Sequence, residues 1–164
     1  MDSASMLMIA VIVVLVICSA YFSATETAFT SLNRVRLRSK AESGNKRAAL
    51  ALRMGDDYDR LLSTILVGNN VVNLTASSLG TVLFIRLISE GTGPTVSTVV
   101  ITIVVLVFGE VTPKSMAKEF PEAFAMFSAP ILRVLMVVLT PVTFLFSLWK
   151  KLLSRPFHKG EDSG

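Results

Sequence analysis

Cysteine and histidine are almost absent from this chain: Cys18 and His158 are the only ones in 164 residues. One cysteine allows no internal disulfide framework and no thiolate metal site. Cys18 lies in an apolar run, where a thiol serves as a small packing group. His158 falls in the C-terminal tail and no nucleophile–base pairing is suggested elsewhere, so enzymatic activity is not expected. Charge is scarce as well, with Asp, Glu, Lys and Arg making up 17% of residues. It is missing altogether from Ser3–Thr25 (23 residues), Leu61–Ile85 (25) and Gly91–Gly109 (19). The first of these runs lacks the marks of a signal peptide. Its only early charge is Asp2, its apolar core is too long, and no A-x-A cleavage site follows. A lipoprotein signal is not indicated either, because Ile17 precedes Cys18 where a small residue belongs. Repeats and low-complexity tracts are lacking.

What the chain has instead is apolar bulk. Hydrophobic residues make up 52%, more than an ordinary soluble domain of this size carries. Each uncharged run is long enough to cross roughly 30 Å of hydrocarbon as a helix. The expectation is an all-α, multi-pass protein of the cell (plasma or inner) membrane, with spans at about 4–31, 61–88 and 94–117. The loop after the first span holds eight basic residues (Arg34, Arg36, Arg38, Lys40, Lys46, Arg47, Arg53, Arg60) against four acidic ones. The turn at 86–94 has only Arg86 and Glu90. The positive-inside rule then puts the N-terminus outside, the 34–60 loop in the cytoplasm and the 86–94 turn outside.

A fourth apolar region, Ala123–Trp149, is interrupted by Pro130, Arg133 and Pro141. Basic residues flank it on both sides: Lys114 and Lys118 before, Lys150, Lys151, Arg155 and Lys159 after. Both flanks therefore read as cytoplasmic. The region is expected to be a broken juxtamembrane helix over 121–153, lying along or dipping into the inner surface. A tail at 156–164 follows, with the C-terminus cytoplasmic. Four genuine spans with an outside C-terminus is the alternative that composition leaves open. Within 33–56, a Ser43-Gly44-Asn45 break and a Gly55-Asp56-Asp57 stop predict two short amphipathic helices. Their basic faces suit anionic lipid headgroups. Nucleic acid is not expected as a partner of a basic loop tethered beside a bilayer.

Polar residues interrupt the spans in three clusters. Ser23, Glu26 and Thr27 share a helix face by their i, i+3, i+4 spacing. In "GNNVVN" (68–73), Asn70 and Asn73 share one face, Asn69 and Asn73 an adjacent one. In "GEVTPK" (109–114), Pro113 has no N–H to donate to the Gly109 carbonyl, leaving an exposed oxygen beside Glu110. If the clusters converge, they offer two hydroxyls, an amide carbonyl, a main-chain carbonyl and a carboxylate. Such hard oxygen donors suit Mg²⁺ or Ca²⁺ and argue against zinc or copper. Each cluster also has a structural reading. Span hydroxyls bond the preceding turn, asparagines join helices, and Lys114 stands at i+4 from Glu110 as a ready ion-pair partner. Glu26 is read as structural or gating rather than as a ligand.

The stretches "FSATETAFTSLNRVRL" (22–37), "LLSTILVGNNVVNLTASSL" (61–79) and "FGEVTPKSMA" (108–117), in this order, resemble the transmembrane domain of the CorC/CNNM family of magnesium transporters. The resemblance covers nearly the whole chain. It implies a homodimer with three spans per subunit, short cytoplasmic helices and a belt-like juxtamembrane helix, the whole forming a transport domain over 1–155. It implies Mg²⁺ export from the cytoplasm, with Na⁺ as a candidate coupling ion. Carried over by position, the metal ligands are Ser23, Thr27, Asn70, the Gly109 carbonyl and Glu110; Asn69, Asn73 and Lys114 are second-tier. Family members usually continue into CBS modules that bind ATP. This chain is expected to be an isolated membrane domain without them. The alternatives are a membrane anchor and dimerisation module with purely structural polar contacts, and a passive cation channel.

Overall fold

The computed structural model describes residues 1–158, so most of the expected tail, 159–164, lies outside the described residues. All regular structure among the described residues is helical. Helix α1 (Ser3–Ser31) starts on Asp2, whose carboxylate accepts the Ser5 N–H at 3.2 Å. Its 29 residues extend roughly 43 Å, more than the hydrocarbon needs. Helices α2 (Arg34–Glu42) and α3 (Lys46–Asp56) follow, as the loop pattern predicts. Asn33 caps the first and Asn45 the second, each side-chain oxygen accepting two backbone N–H groups. Between them Gly44 sits at φ 101°, a left-handed turn that favours glycine.

Helix α4 (Tyr58–Leu87) returns across the bundle. The third long helix is α5 (Gly93–Val104), a π-helical segment Val105–Val111, and α6 (Thr112–Glu119), without interruption. Then come α7 (Pro121–Val138) and α8 (Thr140–His158). Four helices, not the expected three, are long and apolar enough to cross a membrane: Ser3–Ser31, Tyr58–Leu87, Gly93–Glu119 and Pro121–Val138. The difference lies in α7. Neither Pro130 nor Arg133 breaks it, and its 18 residues stay apolar enough to qualify. The expected 121–153 segment is also two helices, which meet at Leu139. Pro141 falls in the first turn of α8, where its missing N–H costs nothing.

Helix α1 is the central post, packed against α4, the third long helix and α7. The larger core joins Phe22, Ala28 and Phe29 of α1 to Leu37, Ala48, Leu61, Ala117 and Leu132. The smaller one, Ile12, Val16, Leu83 and Ile101, fills the opposite end of the bundle. Seven of the fifteen buried residues of the larger core are alanines. At Gly68 the fit against α1 is close, and a Cβ there would collide with the Phe22 ring. Arg86 and Asp2, 3.9 Å apart, join the start of α1 to the end of α4.

Hydrogen bonds hold helix α7 at its start, middle and end. At its start, Glu122 Oε1 accepts the Asn33 N–H at 3.2 Å. Midway, Tyr21 Oη donates to the Ser128 carbonyl at 2.9 Å. At its end, Arg60 Nη2 donates to the Met136 carbonyl (3.2 Å) and to Thr140 Oγ1 (2.7 Å). Asn33 just follows α1 and Arg60 begins α4, so both ends of α7 reach the same end of the bundle.

Candidate cation site

Helices α1, α4 and the π segment meet around Ser19. Its Oγ donates to Asn69 Oδ1 at 3.1 Å, and the same oxygen receives Asn73 Nδ2 at 3.4 Å. On the third side lies Gly109, buried, where an added Cβ would stand 3.0 Å from Ser19 Oγ and 3.3 Å from its Cβ. The absent side chain is what lets the π segment touch α1. One turn along α1 from Ser19, Ser23 is 1% exposed, and its Oγ has no hydrogen-bond partner. One further turn along, Thr27 is also buried. The i, i+4, i+8 spacing lines these three hydroxyls along one face of α1.

The π segment explains how Pro113 is accommodated. Rather than leaving a plain gap in an α-helix, the backbone widens, and the Thr112 N–H bonds the Val107 carbonyl five residues back. Gly109 and Glu110 sit inside this wide turn. Glu110 is half-buried, and no cationic side chain comes within ion-pair reach of it among the described residues. Lys114, the partner that i+4 spacing offered, is instead 3.9 Å from Glu26, linking α6 to α1. Glu26 thus lies within ion-pair distance of a lysine.

The asparagines divide. Asn69 is half-buried and bonded to α1, whereas Asn70 lies exposed on the outward face of α4. The structure therefore lines Ser23 and Thr27 along the Ser19 face of α1 and sets Gly109 against Ser19, with Glu110 next to Gly109 in the π segment. It adds Asn69, bonded to Ser19, and places Asn70 on the neighbouring outer face. Ser19 was missed in the sequence, although it continues the Ser23–Thr27 stripe at i−4. A cavity of about 330 Å³ opens between α1 and α4 below Asn69, lined by Glu26, Asp59, Leu62, Ser63, Leu66 and Asn69. Among the described residues no three His, Cys, Asp or Glu side chains gather. Any ion held at the junction would rest mostly on neutral oxygens.

Comparison with known proteins agrees with this architecture. The sequence model of the cyclin M transmembrane N-terminal domain matches residues 10–163. The chain is 42% identical over 137 residues to the UPF0053 inner membrane protein YfjD of Escherichia coli, covering 84% of this chain and 32% of that protein. It is 42% identical over 144 residues to a UPF0053 protein of Haemophilus influenzae, covering 86% and 34%. A chloroplastic DUF21 domain-containing protein of Arabidopsis thaliana is 33% identical over 132 residues, covering 80% and 20%. The chain spans about a third of the length of the two bacterial relatives. With its long apolar helices, it is a multi-pass membrane protein.

Proposed function

The chain belongs to the CorC/CNNM family of membrane proteins, and on that premise we propose that it binds and moves Mg²⁺ between α1, α4 and the π segment. The observation that carries this is the Ser23 hydroxyl, buried and unpartnered one turn along α1 from the contact between Ser19 and Gly109. A hydroxyl in that state costs about 1–3 kcal/mol, and a cation relieves the cost. Hard oxygen donors suit Mg²⁺ or Ca²⁺, and the resemblance to magnesium transporters selects Mg²⁺. Ser23, Thr27, the Gly109 carbonyl and Glu110 are the ligands, and Glu110 supplies the main charge compensation; Asn70, expected from the sequence as a further ligand, is turned to the outer face of α4 and is not among them. A low ligand charge lets the ion leave again. The cavity below Asn69, with Glu26 and Asp59 among its walls, is the path from the cytoplasm. Mg²⁺ leaves the cell, with Na⁺ as the coupling ion.

The topology that goes with this reading has three spans, with α7 and α8 as a belt on the inner surface. The bonds from Asn33 and Arg60 support it, because they hold both ends of α7 at one end of the bundle. The N-terminus is outside and the α2–α3 loop cytoplasmic, in the inner membrane of a cell. The functional unit is a homodimer.

Isothermal titration of the purified chain tests the site. Mg²⁺ binding is expected to vanish in Glu110→Ala and to fall in Ser23→Ala; wild-type affinity in either removes the ligand assignment. Flux into proteoliposomes, with and without a Na⁺ gradient, tests the coupling. The Ser19–Asn69–Asn73 bonds also fit a pure anchor, in which polar groups only join helices. That reading expects the same variants to lose thermal stability with or without Mg²⁺.

A further inference from the structure

Away from the cation site, a groove of about 470 Å³ runs between α3 and α7. Its walls are apolar: Leu50 of α3, then Pro130, Val134, Val137 and Val138 of α7. The three valines are 62–65% exposed, so they stand open to whatever surrounds the protein. One charged residue shares the lining, Arg133. Among the described residues no carboxylate lies within ion-pair reach of Arg133. On α3, Lys46, Arg47 and Arg53 flank Leu50 at i−4, i−3 and i+3, also without carboxylate partners among the described residues. Carboxylates are remote in sequence. Helix α7 has none after Glu122 in its first turn, and α3 has only Asp56 at its end, which pairs with Arg34.

An apolar trough with an uncompensated cationic border selects an amphipathic anion. A free anion would leave the valines bare, and a purely apolar molecule would leave Arg133 without a counter-charge. We propose that this groove is a binding site for an anionic phospholipid of the inner leaflet. One acyl chain lies along Val134, Val137 and Leu50, and the headgroup phosphate sits at Arg133 within reach of the basic side of α3. The site fastens the α3–α7 layer to the membrane surface at one defined point, beyond the diffuse attraction of the basic loop. It rests on the in-plane orientation of α7 proposed above, but not on the cation site.

The test is native mass spectrometry of the purified full chain in detergent, titrated with phosphatidylglycerol or phosphatidylcholine. The wild type is expected to prefer phosphatidylglycerol, and Arg133→Gln to weaken its binding about fivefold, the typical worth of one basic group beside an anionic lipid. Phosphatidylcholine binding is expected to stay unchanged in that variant. Val137→Trp, which fills the trough without altering charge, is expected to reduce uptake of both lipids. Both residues are exposed, and unfolding curves matching wild type establish that the variants remain folded. An unaltered lipid preference in Arg133→Gln, or undiminished uptake in Val137→Trp, overturns the proposal. Displacement of phosphatidylglycerol by millimolar inorganic phosphate also overturns it, since the groove would then be a free-anion site. Because no Mg²⁺ enters this measurement, its failure and the failure of the cation site are separate results.

Discussion

A buried hydroxyl without a partner is a net cost to a membrane helix, and Ser23 bears that cost where α1 is most tightly enclosed. Other hydroxyls of α1 have partners: Ser19 bonds Asn69, and Thr30 bonds the carbonyls of Glu26 and Thr27. If Ser23 were a packing residue, alanine would serve better. The expected outcome for Ser23→Ala is therefore split by property. Without Mg²⁺, thermal unfolding in detergent stays at the wild-type value or rises, by up to about 1 kcal/mol. Mg²⁺ affinity by calorimetry falls at least about tenfold, the equivalent of one lost charge–dipole ligand. A loss of stability together with unchanged affinity would mean that the hydroxyl serves the fold instead.

At the scale of elements, the sequence was most legible where one residue decides a local structure. Asn33 and Asn45 mark helix starts because each side chain satisfies backbone donors that no other group reaches. Gly44 marks the break for an equally local reason. Pro113 announced a disturbance, but not its form: a π turn is a choice of backbone register that the Gly109–Ser19 contact helps decide. Asn69 and Asn70 were indistinguishable for the same reason. They are adjacent, about 100° apart on the helix, and only the packing of α1 tells which one is turned inward. In α7 the sequence weighed Pro130 and Arg133 as interruptions, whereas the helix runs through both to Val138. Its orientation is a separate matter that exposed ends can settle. With Cys18 replaced by alanine, Phe120→Cys and Val138→Cys at the two ends should both resist a membrane-impermeant maleimide in intact cells. Both should react once the membrane is opened. Reaction of Val138→Cys alone in intact cells would make α7 a fourth crossing.

For the whole molecule, the outward face of α4 raises the question of what covers it. Leu66, Asn70, Leu74 and Ser77 lie exposed along one strip of this helix, at i, i+4, i+8 and i+11. In hydrocarbon an amide and a hydroxyl on such a strip go unsatisfied, whereas a second helix satisfies them and packs closely against the small Ser77 side chain. A second copy of the chain, laying its own α4 strip against this one, would close the pattern with two-fold symmetry. Such an interface would bring Asn70 to the subunit boundary. The expectation is that the purified chain has the mass of a dimer by light scattering in detergent. Ser77→Trp, which replaces the small contact by a bulky one, should shift it toward monomer with the helical content retained. Asn70→Ala should weaken association, whereas Glu110→Ala should lower only the Mg²⁺ affinity. A dimer undisturbed by Ser77→Trp would move the interface to another face and leave the α4 strip, Asn70 included, facing lipid.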